Sequence, residues 1–300
     1  MTALTGIPIS PLVPGSKAWY GKMSASKVAA VLGLSPYDSR FSLFFRMNGT
    51  VDPEPQTDEQ SRGHYLEPGV VSWFEDGHRR FSDPSAAVCT VKPGGCWQHR
   101  DFDWYTASPD RLLYFEDGSI CGFDAKTCSD DDGYGKPGTD EVPAHVRAQA
   151  MSQMDVVGTR RTYVAVLSAY LEFREYVIDY DEAEAEHIRD ECARFMDDLA
   201  NGVRPNLDEH TETLQTVRKL HPSIDPVDVE LPPEVALEYV GACEMEKGAK
   251  AAKRLATSRV LDHIGNGRRA VLNGEPIAIR VAVGDALPFL RPAKSRSTAA

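Results

Sequence analysis

Two short stretches of this sequence carry acidic and basic side chains at a spacing that suits chemistry on a phosphate. Asp110 follows Ser-Pro, and one alanine separates Asp124 from Lys126. Residues two apart on a strand share a face of the sheet, and pairing through the intervening hairpin brings Asp110 near Asp124. Two neighbouring carboxylates favour Mg²⁺ or Mn²⁺, and a lysine beside them can orient water or stabilise charge on a phosphate. The same short pattern also fits a surface hairpin with one Asp–Lys pair.

Further polar side chains stand where they can add to such a site. Glu67 lies in a helical segment and can supply another carboxylate. His145, Gln149 and Gln153 recur every four residues on an otherwise apolar helix, so they form one polar stripe. Two interpretations of this stripe stay open: it faces the carboxylates, or it faces solvent.

Hydrophobic periodicity and turn signals predict the elements that must position these residues. Helices are predicted over 24–33, 41–47, 61–76, 143–157, 181–199 and 232–264, and strands over 86–92, 102–107, 111–116, 120–127, 162–169 and 172–179. Ser24 or Ser26 is expected to cap the first helix, and Pro68 is tolerated if its helix begins near Glu67. The order of helix, strands, helix and strands indicates an α/β protein, a mixed β-sheet core flanked by helices.

The C-terminal part has a different character. Residues 203–230 are expected to form a linker, and residues 269–283 a hairpin around Asn273-Gly274. The chain thus ends in a helical extension followed by a hairpin.

Charge is unevenly distributed over the 300 residues. The chain holds 33 Lys and Arg against 45 Asp and Glu, a net charge of −12. Residues 241–300 carry eleven basic and five acidic residues, or +6, which leaves −18 on the remainder. Such an acidic body argues against a general nucleic-acid coat protein, but not against an enzyme with a local basic track.

Composition narrows the class and the location. Apolar residues make up 42% of the chain, as in a folded protein, and no run reaches the length of a membrane span. The first residues lack the pattern of a secretory signal, so a cytoplasmic location is expected. The six cysteines form no Cys-x-x-Cys pair, which favours reduced thiols over a structural zinc site, although the pattern does not decide whether any of them binds metal.

Four blocks of this sequence, in order, resemble the lambda-exonuclease/YqaJ group of viral recombination nucleases, within the PD-(D/E)xK superfamily. They span about residues 17–180 and read Trp-Tyr-Gly-Lys-Met-Ser-Ala-Ser from Trp19, Arg-Gly-His-Tyr-Leu-Glu from Arg62, Ser-Pro-Asp with Asp-Ala-Lys, and Ala-Gln-Ala-Met-Ser-Gln-Met from Ala148. The resemblance implies a restriction-endonuclease-like core over residues 1–205 and an extension over 206–300.

The resemblance also implies roles for single residues. Asp110 and Asp124 are metal ligands, and Glu67 lies at the metal directly or through water. Lys126 positions the attacking water, and Gln149 is the helix glutamine near the site. The implied activity is a Mg²⁺- or Mn²⁺-dependent deoxyribonuclease with two ions, a 5′→3′ exonuclease acting on linear duplex ends. The implied partners are DNA, a protein that anneals single strands, and further copies of this chain in a ring. No membrane association is implied.

One departure concerns the DNA end. Ser26 falls where the family contacts the end phosphate, but the family's arginine before this block is replaced by Trp19. Lys17 and Lys22 stand nearby and offer point charges in place of a bidentate guanidinium. Two alternatives remain: a RecB-type or CRISPR-adaptation-type nuclease of the same superfamily, and a non-catalytic module that binds DNA ends or a partner. The iron–sulfur members of the first group use four cysteines, three of them clustered near the C-terminal end of the core, and here only Cys192 and Cys243 follow the matched blocks.

Overall fold

The computed structural model describes residues 4–53, 55, 57–81, 89–128 and 133–293, and side-chain burial outside 77–81 within these ranges. The chain divides into one compact unit that ends at Ile224 and a second that begins at Asp225.

In the first unit, short strands and helices precede one long helix, and a run of strands, a helix, two more strands and two helices follow it. Its strands are β1 (Ile7–Ile9), β2 (Met23–Ser24), β3 (Cys89–Pro93), β4 (Cys96–Gln98), β5 (Tyr105–Ala107), β6 (Arg111–Phe115), β7 (Ile120–Thr127), β8 (Arg161–Leu167) and β9 (Phe173–Asp179). Its helices are α1 (Lys17–Tyr20), α2 (Val28–Val31), α3 (Arg40–Met47), α4 (Asp58–Phe81), α5 (Ala144–Val157), α6 (Glu182–Asn201) and α7 (Thr211–Leu220). The mixed α/β class predicted from the sequence is confirmed.

A five-stranded sheet in the order β3-β6-β7-β8-β9 carries the centre of this unit. β7 and β8 run parallel, and the other neighbours are antiparallel. Parallel neighbours need a crossover, and α5 supplies it between β7 and β8. β7 lies in the middle of this sheet. Its Gly122 lets β8 approach closely, since a Cβ there would meet Thr162 Oγ1 at 2.6 Å. A four-stranded sheet in the order β1-β4-β5-β2 completes the unit.

The two faces of β7 differ as the alternation of its residues predicts. Cys121 and Phe123 are buried in an apolar cluster with Val70 and Phe74 of α4. The opposite face carries Asp124, which is 3% exposed. The helix α5 packs over that second face, with Met151 and Met154 fully buried, and ends where Gly158 adopts a φ of 89°, a left-handed conformation that suits glycine.

α4 covers the predicted helix 61–76 and shows where that helix begins relative to Pro68. The helix begins at Asp58, not near Glu67, so the proline lies inside it. The missing N–H of proline removes one helical hydrogen bond. Pro68 itself is exposed, and Val70, Val71 and Phe74 immediately after it are buried against the sheet. Tertiary burial of this next turn therefore outweighs the local preference to begin the helix at the proline.

Other differences concern short elements. The predicted helix 24–33 is split into the end of β2, a 3-10 turn over Ala25–Lys27 and α2, and Ser24 makes no capping bond because its hydroxyl contacts that of Ser26. The strand predicted from 102 begins at Tyr105, and β1 and β4 were not predicted. The first residues of the strand predicted over 86–92 lie outside the described residues.

The predicted linker 203–230 contains α7. Thr213 Oγ1 of that helix is 2.7 Å from Ser39 Oγ at the N-cap of α3, and both residues are buried. The second unit comprises α8 (Pro233–Ile264) and a sheet of β10 (Arg269–Leu272), β11 (Glu275–Val281) and β12 (Phe289–Pro292). The hairpin at Asn273-Gly274 is confirmed, with φ values of 51° and 86°, and β12 adds a third strand. No helix in the described part of the chain combines the length and apolar character of a membrane-spanning segment.

Candidate active site

Asp110 and Asp124 lie side by side, although fourteen positions separate them. Arg111 pairs with Phe123 across β6 and β7, so the residue that precedes β6 lies beside Asp124. Asp110 Oδ2 accepts a hydrogen bond from the backbone N–H of Ala125 at 2.7 Å. The predicted proximity of the two carboxylates is confirmed.

The surroundings of Asp110 affect its protonation. Burial, and then the charge of Asp124, raise the pKa of Asp110 to about 7, while Lys126 acts in the opposite direction. A carboxyl group that holds its proton near neutrality lacks sufficient positive charge around it. The site therefore has unmet capacity for a cation.

Lys126 is the nearest positive charge. Its Nζ lies 2.5 Å from Asp124 Oδ2 and 3.2 Å from Gln149 Oε1. Burial by itself would lower the pKa of Lys126, but Asp124 and Asp110 raise it above the ordinary value. The side chain is consequently a fixed cation, aligned on the site from one side by Gln149.

The polar stripe of α5 faces the carboxylates and not the solvent. Gln153 is 3% exposed and donates from Nε2 to Asp124 Oδ1 at 3.2 Å. Its Oε1 is buried and has no hydrogen-bond partner among the described residues. His145, at the other end of the stripe, is half-buried. Burial, and then the charge of Lys126, lower its pKa. The role of Gln153 as a direct partner of Asp124 was missed, although its spacing of four from Gln149 signalled it.

Glu67 reaches the site through a residue that the sequence did not single out. Its Oε1 accepts a hydrogen bond from Arg111 Nη1 at 3.0 Å. Its charge is close enough to raise the pKa of Asp110, as the least of the effects on that group. Arg111 thus binds the carboxylate that was predicted as a third metal ligand.

The residues predicted to hold a DNA end lie in α1, just before β2 and just after it, at one edge of the four-stranded sheet. β2 runs parallel to β5, with Ser24 paired to Thr106. Beyond this pair the two strands continue in the same direction, β2 toward Ser26 and β5 toward Asp110. Ser26 is exposed. No hydrogen bond between described residues joins Lys17 or Lys22 to Ser26.

Each of the two lysines has its own setting. Lys17 is exposed at the start of α1. Lys22 donates from Nζ to the backbone oxygen of Asp103 at 2.8 Å.

A third lysine, Lys27, was missed in this segment because nothing in its spacing marks it. It is 3% exposed, and its Nζ donates to the backbone oxygens of Trp19 at 2.5 Å and Lys22 at 2.6 Å. The same nitrogen lies 3.5 Å from the centroid of the Trp19 ring. Lys27 therefore fastens the segment from Trp19 to Lys22 onto the 3-10 turn.

Comparison with known proteins shows which family the residues around this site are similar to. Residues 17–160 match the model of the YqaJ-like viral recombinase domain. Over these 144 of its 300 residues, the chain is similar to that domain. The resemblance drawn from the four sequence blocks is confirmed, and every predicted site residue lies within the matched stretch.

Solved structures that are similar to this chain include nucleases. An alkaline exonuclease from Laribacter hongkongensis, in complex with dAMP, is 21% identical over 62% of this chain and 92% of its own, with a TM-score of 0.47. A phage-related exonuclease from Haemophilus somnus is 14% identical over 62% and 98% of the two chains, with a TM-score of 0.44. No curated protein matches the chain.

The side chains around Asp110 and Asp124 determine whether a divalent cation fits this site. Among the residues described, no three His, Cys, Asp or Glu side chains converge as a ready-made metal cage. Mg²⁺ does not need one, because it keeps several waters and binds through one or two carboxylates together with substrate phosphates. Asp110 and Asp124 supply that pair, and the raised pKa of Asp110 shows that the pair lacks positive charge. The residues present fit a hard, oxygen-preferring cation. None of the six cysteines, which all lie among the described residues, is in a disulfide bond.

Proposed function

We propose that this protein is a Mg²⁺-dependent deoxyribonuclease, a 5′→3′ exonuclease that acts on linear duplex DNA in phage recombination. The observation that carries the proposal is the cluster of Asp110, Asp124 and Lys126 under Gln149 and Gln153. The match to a viral recombinase domain supports the recombination role. Mn²⁺ has the same ligand preference and is expected to replace Mg²⁺.

In this proposal the carboxylates hold the cations and Lys126 handles charge at the phosphate. Asp110 and Asp124 would be the ligands, and Glu67, which accepts a hydrogen bond from Arg111, would contribute directly or through water. Two divalent ions, when bound, activate water and stabilise the leaving oxygen. The ammonium group of Lys126 orients the attacking water and offsets charge that develops on the phosphate. Gln149 holds that ammonium group, and Gln153 holds Asp124.

The deciding experiment compares Mg²⁺ with EDTA on linear duplex DNA for the parent protein, Asp124→Asn and Asp117→Asn. Asp117 lies in the exposed turn of the same hairpin and serves as the matched control. Loss of metal-assisted water activation should lower the rate of Asp124→Asn by about 10³-fold or more. Asp117→Asn should follow the parent. An Asp124→Asn protein that digests DNA at the parental rate would show that the site is elsewhere.

The same assay addresses the alternatives. A parent protein that binds DNA and never cleaves it, with any divalent metal, would favour the non-catalytic end-binding module. Duplexes labelled at one 5′ or one 3′ end show the polarity: 5′→3′ digestion releases the 5′ label first, as a mononucleotide. A broad visible absorption band in anaerobically purified protein would favour the iron–sulfur nucleases.

The resemblance extends the proposal to partners and place of action. We propose that the protein acts in the cytoplasm and that several copies of it form a ring. We also propose that it acts with a protein that anneals the single strand it exposes. Light scattering would test the ring, because the monomer mass is 33.0 kDa and a ring gives a multiple of it. A mass of one chain at working concentration would exclude the ring.

A further inference from the structure

One exposed aromatic ring stands at the rim of the candidate active site. Tyr37 lies in the turn between α2 and α3, and its side chain is 76% exposed. The ring packs edge-on against His145, with 5.8 Å between centroids and 88° between planes. His145 begins the polar stripe that continues through Gln149, one helical turn along α5, whose Oε1 contacts Lys126.

The turn that carries Tyr37 is held firmly although the ring is free. Ser35 Oγ accepts hydrogen bonds from the backbone N–H groups of Tyr37 and Asp38, both at 3.1 Å. The Asp38 carboxylate is in turn bound by Arg46 and Ser42 of α3. The ring therefore projects from a fixed base, so holding it against a ligand costs little backbone entropy.

Electrostatic coupling agrees with this placement. Burial lowers the pKa of Lys126, Asp124 and Asp110 raise it, and Tyr37 lies close enough to add a smaller effect that also raises it. Burial, and then the charge of Lys126, lower the pKa of His145, so near neutrality the imidazole presents an uncharged aromatic surface. Tyr134 is half-buried. Burial is the main cause that raises its pKa, and the charges of Asp124 and Tyr37 add smaller effects in the same direction. Aromatic rings thus border one side of the acidic cluster.

We propose that Tyr37, backed by His145, stacks on the nucleobase of the nucleotide being released. Every base has a π face, and stacking on an aromatic side chain contributes about 1–3 kcal/mol per base without regard to sequence. A base inside a duplex is already stacked on its neighbours, whereas a terminal base that has left its pair needs a new surface. This inference rests on the proposed nuclease function and adds the substrate group that the site recognises beyond the phosphate.

The test uses two substrates and four proteins. The substrates are a linear duplex with a normal terminal nucleotide and the same duplex with an abasic tetrahydrofuran residue there. The proteins are the parent, Tyr37→Ala, Tyr37→Phe and the control Tyr170→Ala, which removes a tyrosine of similar exposure, 78%, from the turn between β8 and β9.

Removing the ring of Tyr37 or removing the terminal base should abolish the same stacking interaction. Tyr37→Ala should lower kcat/KM on the normal duplex by about 5- to 150-fold, the range that the stacking free energy gives. Tyr37→Phe and Tyr170→Ala should stay near the parent. The abasic end should slow the parent by the same factor and slow Tyr37→Ala no further. Equal rates of the parent on both ends, or an equal loss for Tyr37→Ala on both, would overturn the proposal.

A binding measurement separates this inference from the proposed function. 2-Aminopurine at the terminal position loses fluorescence when it stacks, and Asp124→Asn with Ca²⁺ provides a complex that does not turn over. Quenching that disappears in Asp124→Asn/Tyr37→Ala would support stacking, and unchanged quenching would refute it. If no DNA substrate is cleaved by the parent, the nuclease proposal fails, and this measurement still decides the role of Tyr37.

Discussion

Replacing Lys27 with methionine tests how the segment proposed to hold the DNA end is fastened to the domain. Two groups of effects compete at this side chain. Burial, and then the charge of Arg46, lower the pKa of Lys27 from 10.5 to about 7. The face of Trp19 and two backbone oxygens favour the charged form. A pKa near 7 means that burial prevails, and that the amine donates its two hydrogen bonds without a charge above that pH.

The size of the effect follows from the difference between folded and unfolded protein. Between pH 7 and 10.5 the unfolded chain holds a proton that the folded one has released, so the free energy of unfolding rises with pH by about 1.4 kcal/mol per pH unit. Below pH 7 both states are protonated, and the folded state bears the full cost of burying the charge. From pH 7.5 to 9.5 the contribution of Lys27 grows by about 2.5 kcal/mol.

Urea unfolding followed by tryptophan fluorescence at pH 7.5, 8.5 and 9.5 measures this contribution. The free energy of unfolding of the parent, relative to Lys27→Met, should rise by about 2.5 kcal/mol over the range. Lys17→Met removes an exposed lysine from the same segment and should follow the parent. A constant difference between parent and Lys27→Met at all three pH values would refute the reasoning, since it would mean that Lys27 stays charged in the folded protein.

The remaining predictions concern the acidic cluster and the DNA end. Lys126→Ala should lower turnover by about 10²-fold or more while Mn²⁺ binding in isothermal titration stays unchanged, because the amine is not a ligand; joint loss of binding and turnover would make its role structural. Since burial and Asp124 raise the pKa of Asp110 to about 7, Mn²⁺ affinity should fall about tenfold per pH unit below that value, and a flat profile from pH 8 to 6 would contradict this. Lys17→Ala/Lys22→Ala should erase a preference for a 5′-phosphate over a 5′-hydroxyl duplex, and equal parental rates on both would refute the end-phosphate role.

Local spacing was sufficient to predict the centre of the site. Asp124 and Lys126 share a face because side chains alternate along a strand, and a tight hairpin brings Asp110 back to them. The four-residue spacing of the stripe on α5 likewise predicts one face, but not which way it turns. That required the position of α5 over β7, which a parallel crossover sets and which no local pattern encodes.

Contacts across long sequence separations account for what was missed. The pairing of Glu67 with Arg111 joins α4 to β6, and neither residue carries a signal for the other. Lys27 reads as an ordinary exposed lysine until the fold buries it under Trp19. Pro68 is a case of the opposite kind: a strong local signal to begin a helix is overridden by burial of the turn that follows it.

The position of β7 between two neighbouring strands has a consequence for hydrogen exchange. Asp124 and Lys126 lie on a strand paired on both edges, between α4 and α5, whereas Ser26 and Lys22 flank β2, a two-residue strand at the edge of the other sheet. Amides of β7 should exchange only through opening of the whole unit, and those around β2 through small local openings. The half of the site assigned to chemistry would then keep its geometry while the half assigned to the DNA end opens and closes, so the end could be admitted and released without disturbing the carboxylates.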